Sequence, residues 1–124
     1  MTDDLWGELP EPPEIETPFD IFREQASLLG QKTNGKLIGE VVRAADEHES
    51  ISLSFCVTAP SLNHYRYAVL QAYHSLTDIY PVTLLASEIQ TKCGSPEDLR
   101  SALQTILRSK RVPNTIRGLL LQIP

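Results

Sequence analysis

Cysteine is scarce in this chain, aromatics are few and no long apolar run occurs. Two cysteines in 124 residues, Cys56 and Cys93, are too few for a disulfide scaffold. The opening residues, Met1-Thr2-Asp3-Asp4-Leu5, are acidic and lack the basic and apolar regions of an export signal. Together these features predict a cytoplasmic protein with reduced thiols. Cys56 is expected to pack within a strand, and Cys93, beside Gly94, to sit in a turn. The longest apolar runs span only a few residues, as in Gly118-Leu119-Leu120-Leu121. A membrane span needs about 20, so no membrane partner is expected.

Catalytic and metal-binding patterns are missing too. The three histidines, His48, His64 and His74, show no HxH or HxxxH spacing, and the cysteines form no CxxC, so no metal site is predicted. No serine stands in GxSxG and no glycine-rich loop follows a strand, so phosphate cradling by those motifs is not expected. A Cys–His nucleophile would need Cys56 beside His74 across neighbouring strands, with an orienting acid. The reading is of a non-enzymatic protein without a cofactor.

Charge is unevenly spread. The net charge is −5. Residues 1–22 carry seven acids (Asp3, Asp4, Glu8, Glu11, Glu14, Glu16 and Asp20) and no base, whereas residues 99–124 carry five bases (Arg100, Arg108, Lys110, Arg111 and Arg117) and no acid. Either the two ends attract each other or stay solvated, or the bases form a patch for an acidic partner.

What is present is a clear architectural pattern. Residues 1–16 form an acidic arm whose prolines suit neither helix nor central strand. Residues 17–124 form one domain, since a chain of this length builds a single core. Thr17-Pro18 opens a helix over 18–33, with Phe19, Phe22, Ala26 and Leu29 on one stripe. Asn34-Gly35 ends it.

From Leu37 the period becomes two. The clearest strand sets Ile51, Leu53, Phe55 and Val57 on one face and Ser52, Ser54, Cys56 and Thr58 on the other. Residues 65–76 read as strand rather than helix, with Tyr65, Tyr67, Val69, Gln71 and Tyr73 on one face and Ala68, Leu70, Ala72 and Leu76 on the other. Val82–Ser87 is a further strand, and Glu88–Lys92 either extends it or adds a short edge. Ser95-Pro96 starts a helix over 96–109, Pro113 stops or kinks it, and a last helix covers about 114–122. The fold class is therefore α+β: an antiparallel β-meander of four to five strands across 36–92, with an N-terminal helix and one or two C-terminal helices packed mainly on one face. The expected core is Phe22, Leu29, Leu53, Phe55, Val57, Leu70, Leu84, Leu99, Leu103, Ile106 and Leu120.

These features point to a protein-interaction module of adaptor, regulatory or immunity-like type. The candidate partner-binding residues are Tyr65, Tyr67 and Tyr73 on a shared sheet face, Arg66 and His64 at its entrance and Trp6 on the arm. Tyrosine and arginine are enriched at binding hot spots. The expected partner is another protein or a second copy in a homodimer built from the tyrosine-bearing face or an edge strand of the meander. Nucleic acid is disfavoured, because only Arg66 would frame that face. The alternative is a small enzyme or small-molecule binder with a loop pocket near His64, Tyr65, Arg66 and His74. Trp6 and Leu9 fit docking on the chain's own domain or on a partner.

Overall fold

The structure is a computed structural model describing residues 2–124. Met1, which opens the expected arm, lies outside the described residues. Residues 2–16 carry neither helix nor strand. Helix α1 spans Pro18–Lys32, and Thr17 caps it by accepting the Asp20 amide at 3.1 Å. At its far end Thr33 donates to the Leu29 carbonyl and accepts the Leu37 amide, and Asn34 and Gly35 take positive φ. This cap fixes where the first strand begins.

Five strands follow: β1 (Ile38–Ala45), β2 (Ser50–Ala59), β3 (Tyr65–Ser75), β4 (Val82–Ala86) and β5 (Ile89–Cys93). They form one antiparallel sheet in sequence order, β1-β2-β3-β4-β5, a simple meander. Helix α2 spans Pro96–Leu107 with Ser95 as its cap, and α3 spans Arg111–Leu121. Pro113, expected to stop or kink the preceding helix, lies in the first turn of α3. Amides there have no intrahelical partner, so the ring costs nothing. Cys93 is not in a turn. It closes β5 opposite Val82 and is buried in the core.

All three helices contribute to one core on one face of the sheet. Phe22 of α1 meets Phe55 of β2 edge-to-face at 5.8 Å. Leu53, Val57, Leu70 and Leu84 from the sheet, Leu99 and Leu103 from α2, and Val112 and Leu119 from α3 complete it. The expected Leu29, Ile106 and Leu120 pack against its margin, while Ile21 and Leu37 are buried beyond expectation. α1 sits very close to β1: a Cβ on Gly39 would lie 2.6 Å from the Cα of Ala26. Glycine at 39 is what lets the helix backbone approach the strand.

One irregularity decides which residues share a face. Phe55 pairs with Leu70 but Cys56 pairs with Ala68, so Val69 is an extra residue on β3. This is a β-bulge, and it shifts the side-chain phase by one. Before it, Tyr65 and Tyr67 lie opposite Ala59 and Val57 and share the helix-covered face. After it, Leu70 and Ala72 take that face and Tyr73 moves to the other. The expected single face carrying Tyr65, Tyr67 and Tyr73 is thus corrected to two.

Candidate functional site

Among the described residues no helix lies on the second face of the sheet. Its surface follows from the strand register. One cross-strand row runs Val42, Ser54, Gln71, Leu85, Gln90, and the next runs Ala44, Ser52, Tyr73, Thr83, Lys92. Tyr73 stands between the small side chains of Ser52 and Thr83, and its hydroxyl donates to Gln71 Oε1 at 2.5 Å. Val42 is 45% exposed, Ile38 43% and Tyr73 39%.

At the other end of this face a charged lid crosses β2. Arg66 of β3 pairs with Glu40 of β1 at 2.7 Å, over the strand between them. Beneath it Cys56 and Thr58 are buried although they point away from the main core. Burial pushes the Cys56 thiol up, which keeps it protonated and a poor nucleophile. The Thr58 hydroxyl has no hydrogen-bond partner. Cys93 lies on the covered face and is pushed up by burial as well.

The remaining sequence candidates scatter. Tyr67 faces α3, where its hydroxyl accepts from the Arg111 guanidinium, which also donates to the Val69 carbonyl at 2.8 Å. Arg111 therefore ties α3 to the bulge and is not a free surface base. Tyr65 is half exposed at the start of β3, and His64 precedes it in a left-handed conformation. His74, at the far end of β3, is hydrogen-bonded through Nδ1 to the Ser75 carbonyl. His74 lies ten positions along the strand from His64, about 33 Å, so one loop pocket cannot hold both.

Trp6 is 80% exposed and Leu5 93%, so the arm does not cover its own domain here. Its root, however, is fixed. The Tyr80 hydroxyl donates to the Glu16 carbonyl at 2.7 Å, and the Glu16 carboxylate receives the Arg100 guanidinium, which also reaches Glu24 at 3.2 Å. Of the attractions expected between the acidic end and the C-terminal bases, this is one the fold makes. The Arg100 hydrogen bonds hold the Glu16 carboxyl below its usual range. Burial, reinforced by the Glu16 charge, pushes the Tyr80 hydroxyl up to about 12.

The structure also holds a feature that sequence reasoning missed. A cleft of about 500 Å³ opens between α1, α2 and α3 on the helical side. Phe55, Val57 and Val69 floor it; Leu29, Leu103 and Ile116 are among its walls; Lys32, Arg100 and Arg108 stand at its rim. No carboxylate lines it among the described residues. The signal was present only in parts: the adjacent Leu28 and Leu29 on α1, and the run of bases without an acid over residues 99–124, which includes Arg100 and Arg108. Among the described residues no group of three His, Cys, Asp or Glu side chains could hold a metal ion, and no helix is long and apolar enough to cross a membrane. No family model, curated protein or solved structure matches the chain.

Proposed function

We propose that this protein is a non-enzymatic interaction module of the cytoplasm that binds another protein across the uncovered face of its sheet. The observation that carries the reading is the asymmetry of the sheet. Three helices serve one face, while the other presents Ile38, Val42 and Tyr73 to solvent beside the Arg66–Glu40 pair. Isolated exposed apolar residues are ordinary, but a tyrosine with aliphatic neighbours held by the hydrogen-bonded strands of a sheet is a preorganised binding surface. The small side chains of Ser52 and Ser54 leave room for a partner to approach the strands. Support also comes from chemistry: both thiols are buried and held protonated, and the histidines stand apart. Arg66 and Tyr73 remain the candidate contact residues on this face, and Tyr65 and His64 can contribute only from its edge.

Affinity capture from the native cell tests this reading. The wild-type protein should retain a partner that Val42→Asp/Tyr73→Ala loses and that Ser101→Asp, on the exposed side of α2, keeps. Equal capture by all three proteins would refute the assignment.

A further inference from the structure

The cleft between the helices and the N-terminal arm are complementary in charge and in polarity. The arm offers Leu5, Trp6 and Leu9, exposed by 93, 80 and 65%, set among Asp3, Asp4, Glu8 and Glu11. The cleft offers an apolar floor of Phe55, Val57 and Val69 under a cationic rim. Lys32 and Arg108 of that rim are exposed and form no ion pair among the described residues. We propose that the cleft receives the arm of a second copy of this chain, so that two molecules exchange arms reciprocally. This surface lies on the opposite side of the sheet from the face assigned to the partner protein, and the proposal is independent of that assignment.

The exposure of the arm's apolar residues decides between a second copy and the chain's own arm. The arm is rooted at Glu16 on Arg100, which itself lines the cleft. From Ile21 to Lys32, which line one wall, α1 advances eleven residues, about 16 Å. Between the root and the apolar residues lies Pro10-Glu11-Pro12-Pro13, a stiff segment that extends about 3.1 Å per residue. Extended at that rise, Leu9 would reach at most about 22 Å from Glu16. The chain's own arm does not enter the cleft: the Ile15 amide donates to the Pro13 carbonyl at 3.0 Å, turning the chain beside its root, and Leu5, Trp6 and Leu9 stay exposed. A second molecule offers the same apolar residues and acids to that cleft. Exchange of two identical arms about a two-fold axis also closes on itself, giving a dimer rather than a filament.

Trp6 is the single tryptophan, so its emission reports the arm alone. With full-length protein, emission and sedimentation mass should be followed together across a wide concentration range. The expected result is a blue shift of the indole that grows with concentration in step with a doubling of mass. Lys32→Glu/Arg108→Glu should weaken the dimer by roughly tenfold or more, as should Leu9→Ala. Circular dichroism should show both variants folded, since the altered side chains are exposed. Mixing the cleft variant with Trp6→Ala/Leu9→Ala should restore a dimer of the two, because one intact arm then meets one intact cleft. A blue shift independent of concentration would mean docking within one chain and would overturn the proposal. So would a hydrated indole at every concentration, or a dimer indifferent to the rim substitutions.

Discussion

The two faces of this sheet are made by the same strands, yet they do different work. On one face β2 sets Leu53, Phe55 and Val57 against three helices, and all three side chains are buried. On the other the same strand sets Ser52 and Ser54 under solvent, and Tyr73 and Val42 stand free beside them. Burial on the first face supplies the folding free energy, because stabilisation scales with apolar area removed from water. The second face removes little area and so is free to be shaped for recognition. Substitutions should therefore separate into those that unfold and those that only unbind.

The largest effect belongs to the covered face. Phe22→Ala, which empties the edge-to-face contact with Phe55, should destabilise by about 3–5 kcal/mol in urea unfolding, and Leu53→Ala by about 2–5. Next comes Arg111→Ala. It removes charge-assisted hydrogen bonds to the Tyr67 hydroxyl and the Val69 carbonyl, with an expected loss of about 1.5–3 kcal/mol. Arg111→Lys should recover little, since one ammonium cannot reproduce the two-pronged contact. Gly39→Ala should cost about 1–3 kcal/mol, because its methyl would strike the backbone of Ala26 and push α1 from β1.

Smaller still is the pH response of the arm's root. The Glu16 carboxyl is held below its ordinary range, so its contribution is present above that range and is lost as pH falls through the depressed value. The Tyr80 hydroxyl is raised to about 12, so its contribution is present below pH 10 and is lost as pH climbs from 10 towards 12. Urea midpoints measured across that alkaline window should fall more steeply for the wild type than for Tyr80→Phe. Parallel curves would contradict the buried, bonded hydroxyl. The smallest stability effects belong to the uncovered face: Val42→Ser and Tyr73→Ser should change the unfolding free energy by no more than about 0.5 kcal/mol.

Much of the fold was legible in the chain, for physical reasons. Thr17-Pro18 and Ser95-Pro96 are local capping chemistry, and both cap helices as read. The alternation from Ile51 to Val57 reports a sheet with one apolar face, which it is. The shared tyrosine face was not legible, because it depended on an unbroken period through β3. Val69 and Leu70, adjacent and both buried, are the sequence trace of the slip, but two neighbouring apolar residues do not by themselves announce a bulge. Arg111 looked like one base among five, and only the approach of α3 to the bulge reveals its partners. The cleft was hidden for a similar reason: its floor comes from β2 and β3 and its walls from three helices distant in sequence.

The most direct test of the two-face account is a photocrosslinker placed at single positions in the native cell. Val42 and Tyr73 sample the uncovered face, while Ser101 and Asn114 sample exposed positions on the helical side. The account predicts adducts with one partner protein from positions 42 and 73, and none with that protein from 101 or 114. Adducts with that protein from 101 and 114, with none from 42 and 73, would contradict it.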